Sequence, residues 1–135
     1  MTSDPQQRAA LLAEAERAGS ELAAIAHTSA PGRVNRALVA GLAEHGLLPR
    51  LFGGDSVSAV ELCLIRQGLA RTCTEAETTF AVQGLGSYPV LQSGRPEVAE
   101  PWIRRVANGE AVAAFALTEP GAGSDLASLT TRGED

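Results

Sequence analysis

This chain of 135 residues has no excess of basic residues. It contains 11 Lys and Arg and 16 Asp and Glu, which gives a net charge of −5. Proteins that bind nucleic acids through the phosphates carry clustered basic side chains. The one adjacent basic pair, Arg104 and Arg105, is interpreted as part of a solvated helix face. The composition therefore argues against a nucleic-acid partner.

Long hydrophobic runs are missing as well. No stretch of about 18 apolar residues occurs, so no segment is predicted to cross a membrane. Residues Met1 to Pro5 carry no basic region of the kind that opens a signal peptide, and we expect a cytoplasmic protein.

Cysteine is limited to Cys63 and Cys73, which stand at apolar helical positions without a partner motif. We expect two buried, reduced thiols. Combined with His27 and His45, the cysteines show none of the spacings of zinc motifs, so no metal site is predicted.

The chain does contain a series of helical patterns. Its length fits one domain and part of another. Ser3 or Asp4 can cap a first helix that has Pro5 in its first turn. Pro31-Gly32 separates it from a second helix that ends at Gly46. The residues expected on the buried faces of these two helices are Leu11, Ala15, Ala18, Leu22, Ile25, Val34, Leu38 and Leu42.

Two capping boxes follow a loop predicted over residues 47–56. Ser58 to Glu61 opens a third helix, and Thr74 to Glu77 opens a fourth. The inner stripe of the third helix is expected to consist of Leu62, Ile65 and Leu69.

The fourth helix is unusual because it contains Gly84 and Gly86. Since glycine weakens a helix, we expect another group to approach the helix closely there. Tyr88-Pro89 is predicted to end this helix, and Pro96 to start a fifth one that ends at Gly109. In the fifth helix the core-facing residues are predicted to be Val98, Trp102 and Val106, with Trp102 as an anchor of the core.

The pattern changes near residue 111, where a domain boundary is predicted. An apolar run from Ala111 to Leu117 leads into a cluster of Pro, Gly, Ser and Asp, which predicts a sharp turn. Gly121 and Gly123 can take positive φ and let a ligand reach the main chain, and Thr118, Ser124 and free N–H groups offer donors. The residue types alone leave an anion-binding cradle and a plain structural turn both open.

The sequence of this stretch resembles the signature of the acyl-CoA dehydrogenase family; it reads Phe115-Ala-Leu-Thr-Glu-Pro-Gly-Ala-Gly-Ser-Asp125. The commonest form of that signature matches the eight residues from Thr118 to Asp125. Leu47 to Gly54 resembles the family's loop between its second and third helices, and Val82 to Pro89 resembles its helix-to-turn segment. The resemblance implies a mainly α fold. Residues 1–111 would form the N-terminal helical bundle domain, and residues 112–135 the first strand or strands of a truncated β domain.

Members of this family are flavoproteins that oxidise an acyl-CoA thioester between its α and β carbons. The resemblance therefore implies FAD as the cofactor, a trans-2-enoyl product and a place in fatty acid metabolism. By match to the family motif, the flavin-binding residues would be Phe115 beside the isoalloxazine ring, the backbone of Leu117 and Thr118 at its pyrimidine end, and Gly123 with Ser124 at the pyrophosphate. Phe115 stands where many relatives have tyrosine.

Substrate contacts are implied in the same way. The fourth helix would line the acyl pocket at Phe80, Ala81 and Gly84, and Ser124 would lie near the bound acyl-CoA. Plain helix packing is the other interpretation of the three helix residues. The substrate would be an acyl-CoA or an acyl carrier protein thioester.

No catalytic residue is predicted within these residues, because the family's glutamate base belongs to a C-terminal helical domain. The resemblance implies that the chain is a fragment, inactive by itself, of a homo-oligomeric enzyme. It leaves the electron acceptor open between an electron-transfer flavoprotein and oxygen. An alternative of a different class is a non-catalytic helical interaction module or subunit derived from the family.

Overall fold

The computed structural model describes residues 4–53 and 58–133. In these residues the chain forms five α-helices, with short 3₁₀ segments at Ala23–Ile25, Leu48–Phe52 and Leu126–Ser128. The helices, in chain order, are α1 Pro5–Leu22, α2 Arg36–Glu44, α3 Ala59–Thr72, α4 Thr74–Ser93 and α5 Pro96–Ala107. The predicted mainly helical fold is confirmed. No helix in this part of the chain has both the length and the hydrophobicity that a membrane span requires.

The first helix begins as predicted, because the Asp4 carboxylate accepts a hydrogen bond from the Gln6 N–H at 3.0 Å. Four of the five residues expected on its inner face are buried, and the fifth, Ile25, is half-buried. This face packs against α3, where a Cβ atom on Gly68 would lie only 2.6 Å from the Cβ of Ala15. Small residues thus allow α1 and α3 to form the most extensive helix pair of the bundle.

The second helix is tied to the end of the first by Asn35, a residue that the sequence patterns did not single out. Its side-chain oxygen accepts from the Leu38 N–H at 3.0 Å, and its amide nitrogen donates to the Ile25 carbonyl at 2.7 Å. Gly46 ends this region with φ near 69°, as expected of a glycine after a helix. Val34 is 56% exposed because it precedes the helix instead of lying on its inner face.

The connection between α2 and α3 is more ordered than the predicted loop. Leu48–Phe52 form a 3₁₀ segment, and Leu48 and Leu51 are buried in the core. Apolar burial therefore organises the first half of this connection. The predicted loop residues Gly54, Asp55 and Ser56 lie outside the described residues.

One of the two residues predicted to open a capping box caps its helix. The Ser58 hydroxyl accepts from the Glu61 N–H at 3.4 Å and caps α3. Thr74 does not cap α4; it is the first helical residue, and the extended Cys73 precedes it without a side-chain cap. The prediction is wrong here because only one residue separates α3 from α4, so Cys73 takes the capping position.

The fourth helix continues past the predicted stop at Tyr88-Pro89 and ends at Ser93. Proline removes the N–H that would bond to the carbonyl four residues earlier, that of Leu85. The helix nevertheless continues to Ser93 with that one hydrogen bond lost. The long helix crosses the bundle and contacts α1, α2, α3 and α5.

The fifth helix buries one of the three residues predicted on its inner face. Val106 is buried as predicted, together with Ala99, whereas Val98 is exposed and Trp102 is 51% exposed. The Arg105 guanidinium lies 4.9 Å from the centre of the Trp102 ring. Trp102 is therefore a surface residue in a cation–π contact and not the predicted core anchor.

The segment that follows, residues 111–118, is here called the extended segment; it has no regular secondary structure and pairs with no strand in the described residues. An isolated bridge between Glu119 and Ala122 is the main-chain pairing present there. The first strand expected of a β domain is therefore not formed in the described residues, since a ladder requires a neighbouring strand. The boundary predicted near residue 111 stays a prediction.

Candidate functional site

A side chain on α4 holds the start of the extended segment. The Gln83 amide nitrogen donates to the Ala111 carbonyl at 3.1 Å, and the Gln83 side-chain oxygen accepts from the Ala113 N–H at 2.7 Å. Gln83 is only 2% exposed. A buried amide with both polar groups satisfied fixes its partners firmly, because breaking the contacts would leave buried polar groups unpaired.

One turn further along α4, Gly86 lets the same segment come into contact with the helix. A Cβ atom on Gly86 would lie 2.8 Å from the Ala114 carbonyl oxygen. The expectation that something approaches α4 closely at its glycines is therefore confirmed for Gly86, where the approaching group is main chain. At Gly84 it is the Leu51 side chain, 2.9 Å from such a Cβ.

Beyond Ala113 the segment offers a row of free main-chain donors. Within the described residues, no peptide N–H from Ala114 to Thr118 donates a hydrogen bond to the protein. Phe115 and Leu117, which alternate along this row, are 44% and 38% exposed. Exposed apolar side chains beside unpaired donors form a surface suited to a flat ligand with apolar faces and polar edges.

The sharp turn predicted after this segment is present. The Glu119 N–H donates to the Ala122 carbonyl at 2.9 Å, and the Ala122 N–H donates to the Glu119 carbonyl at 3.2 Å. Positive φ occurs at Gly32, Gly46 and Gly109 in the described chain, and not at Gly121 or Gly123. The turn therefore does not use the positive φ that glycine allows, because these reciprocal bonds close it without that conformation.

The absence of side chains at Gly121 and Gly123 still has a physical meaning. A Cβ at either position would meet no heavy atom of the described residues within 4 Å. Internal packing therefore does not require glycine there, and the turn leaves open space along the main chain. That space suits a ligand that approaches the backbone.

Glu119 closes the loop that carries the turn. Its carboxylate accepts hydrogen bonds from the Thr130 N–H at 2.9 Å, the Thr130 hydroxyl at 2.8 Å and the Thr131 N–H at 2.8 Å. The Thr131 side chain, the N–H groups of Thr130 and Thr131 and the Thr130 hydroxyl lower the pKa of Glu119 to about 2. The carboxylate thus holds residues 119 and 130–131 together in its charged form.

A cavity of about 600 Å³ opens on another side of α4. The three residues predicted as pocket wall, Phe80, Ala81 and Gly84, all line it. The other lining residues come from α3, α4 and the 3₁₀ segment: Leu51, Ala59, Leu62, Cys63, Arg66, Val82, Leu85 and Tyr88. The lining is predominantly apolar, which suits a hydrocarbon chain or ring.

Two residues of this lining differ from the apolar rest: the thiol Cys63 and the charged Arg66. Cys63 is exposed, whereas burial was predicted; Cys73 is buried, and both thiols are free. Arg66, the charged member of the lining, is paired with Glu77 at 2.6 Å. Its charge is therefore partly neutralised at the cavity wall.

The predicted site residues thus form two groups. Phe80, Ala81 and Gly84 meet at the cavity, while Phe115, Leu117 and Thr118 share the extended segment, with Gly123 and Ser124 in its turn. Ser124, predicted to lie near the substrate, is not part of the cavity lining. The assignment of these residues to flavin and substrate stays a prediction.

Sequence reasoning missed Gln83 and Glu119 as parts of the site. Gln83 follows Phe80 by three residues and precedes Ser87 by four, so a helical wheel places it on the buried face. A polar residue on a buried helix face is the signal that could have identified it. Glu119 lies inside the recognised signature, but its partners Thr130 and Thr131 are too distant in sequence for a local pattern to indicate them.

The residues present fit a flavin. FAD has an aromatic ring system with hydrogen-bond acceptors at one end and a charged pyrophosphate, and the segment offers exposed apolar side chains, free N–H donors and an unobstructed glycine turn. For a metal ion, the described residues contain no group of three His, Cys, Asp or Glu side chains that could hold one.

Comparison with known proteins shows which family the chain matches. Residues 4–110 match the family model described as "Acyl-CoA dehydrogenase, N-terminal domain". A cyclohex-1-ene-1-carbonyl-CoA dehydrogenase of Geobacter metallireducens is 40% identical over 88 residues, which cover 64% of this chain and 23% of that protein. A cyclohexane-1-carbonyl-CoA dehydrogenase of the same organism is 30% identical over 113 residues, which cover 80% of this chain and 30% of the relative.

A probable acyl-CoA dehydrogenase of Bacillus subtilis is 35% identical over 92 residues, which cover 65% of this chain and 16% of that protein. The chain therefore spans less than a third of the length of these relatives. The family model nevertheless covers most of the chain, and its helices follow the predicted order. The chain belongs to the acyl-CoA dehydrogenase family.

Proposed function

We propose that this chain is the N-terminal part of an FAD-dependent dehydrogenase that converts an acyl-CoA thioester into the trans-2-enoyl product. The observation that supports this most strongly is the way α4 holds the start of the segment through Gln83 and Gly86, while the residues from Ala114 to Thr118 are exposed. Main chain that is already held in place can bind a ligand without reorganisation.

In this proposal each part of the segment meets a different part of FAD. Phe115 packs against the isoalloxazine ring, and the backbone of Leu117 and Thr118 bonds its pyrimidine end. Gly123 and Ser124 contact the pyrophosphate. Bound FAD supplies the acceptor for the hydride that leaves the β carbon. N–H donors at the pyrimidine end stabilise the negative charge that develops there during reduction.

The cavity beside α4 takes the acyl group. Phe80, Ala81 and Gly84 form part of its apolar wall, and the small side chains of the latter two leave room for the ligand. Ser124 is placed near the thioester. Two of the relatives are named for cyclohexene- and cyclohexane-carbonyl-CoA, so alicyclic thioesters belong in the first set of substrates to test.

The remaining assignments follow from the same proposal. The carrier of the acyl group is CoA, with an acyl carrier protein as the second choice, and the acceptor is an electron-transfer flavoprotein or oxygen. The complete enzyme acts in the cytoplasm, in fatty acid or related acyl metabolism, as a homo-oligomer. The glutamate base lies in a part of the enzyme outside these residues.

A titration of the complete protein, from the start of its gene to the stop codon, tests the activity. We expect anaerobic addition of straight-chain or alicyclic acyl-CoA to bleach the visible flavin absorbance and to form one enoyl product per flavin. Free CoA and the corresponding free acids are the controls and should leave the absorbance unchanged. A flavin that no saturated acyl-CoA in the series reduces would contradict the proposal.

The non-catalytic interaction module is the second candidate, and the exposed apolar face of α5 favours it. Val98 and Trp102 lie on this face and are each about half exposed. Exposed apolar side chains close together are typical of protein contacts. The DNA after codon 135 distinguishes the two: an open frame that encodes strands, a helical bundle and a glutamate base supports the enzyme, whereas an in-frame stop supports the module.

A further inference from the structure

The contact between Gln83 and the extended segment has the hydrogen-bond pattern of a sheet. In a parallel β-bridge, one residue accepts from the N–H of the residue after its partner and donates to the carbonyl of the residue before it. Gln83 does the same with its side chain, because it accepts from the Ala113 N–H and donates to the Ala111 carbonyl. The partner between them, Val112, is half-buried and packs against the core.

This pairing sets the position of everything that follows in the segment. Leu117 lies only four residues beyond Ala113, too short a length of extended chain to correct a displacement at its start. Gly86 gives the segment a second contact, because the Ala114 main chain lies directly against α4 there. The helix that lines the cavity, α4, therefore also determines the position of the main chain from Ala114 to Thr118.

We propose that Gln83 is a positioning residue of the flavin site, a role that rests on the proposed function. Its buried amide takes the place of a neighbouring strand and holds the free donors of residues 114–118 at a fixed distance from the acyl cavity. Gln83 does not touch the flavin or the substrate in this proposal; it acts through residues 111–113.

The test uses the complete protein after its flavin has been removed, and it has two readouts. The first is hydrogen exchange of the amides of residues 111–118, and the second is the Kd for added FAD. Gln83→Met keeps the length of the side chain and removes both hydrogen bonds. We expect the Ala113 amide to exchange at least about tenfold faster and the Kd for FAD to rise about tenfold, the size expected from two neutral hydrogen bonds.

Two controls separate positioning from general destabilisation. Gln67→Met makes the same substitution at an exposed position of α3 and should change neither readout. Leu69→Ala removes a buried side chain of the core and should lower the unfolding temperature while leaving the Kd for FAD within about twofold. If Gln83→Met does not fold, Ala113→Pro deletes the N–H donor from the other side of the pair without changing α4. Because proline has no amide proton to exchange, the readout of this variant is the Kd for FAD, which should again rise about tenfold.

Each result has a definite meaning. A Gln83→Met protein with fast exchange at Ala113 and unchanged FAD affinity would overturn the positioning role while leaving the proposed function intact. A Leu69→Ala protein that loses FAD affinity to the same extent would show that Gln83 acts through stability alone. A wild-type protein that binds no FAD would overturn the proposed function and this role with it.

Discussion

Glu119 shows how much a single carboxylate contributes to this site. Three hydrogen bonds from Thr130 and Thr131 stabilise its charged form and join the two ends of the loop that contains Gly121 to Ser124. The glutamate of the recognised signature therefore has a structural task within the chain itself, independent of any ligand.

We expect Glu119 to titrate at an unusually low pH. Its folded-state pKa of about 2 lies below the ordinary value of 4.5, so the charged form favours the closed loop. That contribution is fully present above pH 4.5 and is lost as the pH falls toward 2. Measured by NMR, the Thr130 and Thr131 amides should shift with this low pKa. In Glu119→Gln the transition should vanish; a wild-type midpoint near 4.5 would contradict the hydrogen-bond arrangement.

Gly123 provides a test that separates ligand binding from stability. A Cβ there would meet no described atom within 4 Å, and the residue does not use positive φ. We expect Gly123→Ala to leave the free energy of unfolding within about 0.5 kcal/mol of wild type. In the complete protein it should weaken FAD binding about tenfold or more, because the methyl group occupies the space assigned to the pyrophosphate.

The matched control for that substitution is Gly133→Ala, which also meets no described atom but lies outside the signature. It should change neither stability nor FAD binding. Equal FAD affinity in the Gly123→Ala protein would show that the turn does not face the cofactor.

Ala81 tests the cavity in the same way. Leucine at this position would fill part of the space of about 600 Å³, so Ala81→Leu should raise the KM for acyl-CoA several-fold and leave the Kd for FAD unchanged. Ala70→Leu, at an exposed position of α3, is the control. An unchanged KM across a series of acyl chains would place the substrate elsewhere.

At the residue scale the sequence was informative where the chemistry is local. The Asp4 and Ser58 caps were predicted correctly because a capping side chain and the N–H that donates to it lie within three residues. Trp102 and Cys63 were placed wrongly, because their exposure depends on which face of the helix the neighbouring helices cover. A rotation of the helix by a few tens of degrees changes which face is covered. The spacing of the apolar residues alone does not define this rotation.

At the scale of elements, the central feature is α4, which carries the cavity wall on one side and the extended segment on the other. Gly84 and Gly86 stand two residues apart and therefore serve different sides of the helix. Glycine at both positions is explained by close neighbours, the Leu51 side chain and the Ala114 main chain.

Gly86→Ala is the corresponding prediction. The added Cβ would lie 2.8 Å from the Ala114 carbonyl oxygen, so the extended segment has to move away from α4. We expect a loss of about 1–3 kcal/mol in stability, offset in part by the better helix propensity of alanine. Hydrogen exchange at Ala113 should speed up, and FAD binding should weaken.

The control for Gly86→Ala is Ser20→Ala, a substitution at an exposed position of α1. It should leave the exchange at Ala113 unchanged. If Gly86→Ala kept both the wild-type exchange rate and the wild-type FAD affinity, the close contact between α4 and the segment would not exist in solution.

Helix starts and stops were predictable to the extent that they depend on local signals. Pro96 opens α5 and Gly46 follows α2 as expected, because these residues act through their own backbone. Pro89 misled the prediction, since a proline inside a helix removes one hydrogen bond and here does not end the helix. Burial of Leu48 and Leu51 in the predicted loop likewise depended on the distant helices that cover them.

At the scale of the whole molecule, the sequence was enough for the helical domain and its family. The recognised signature and the family model cover different parts of the chain, residues 115–125 and 4–110, and they agree. The pairing of Gln83 with Ala111 and Ala113 was not predictable, because residues about 30 positions apart meet only after the bundle has formed.

The central claim is that α4 presents the main chain of residues 114–118 to FAD. Hydrogen exchange of the complete protein, with and without added FAD, tests it most directly. We predict that the Leu117 and Thr118 amides exchange more slowly when FAD binds, while exposed amides outside the segment do not change. FAD that binds stoichiometrically without slowing exchange at Leu117 and Thr118, or no FAD binding at all, would contradict the account.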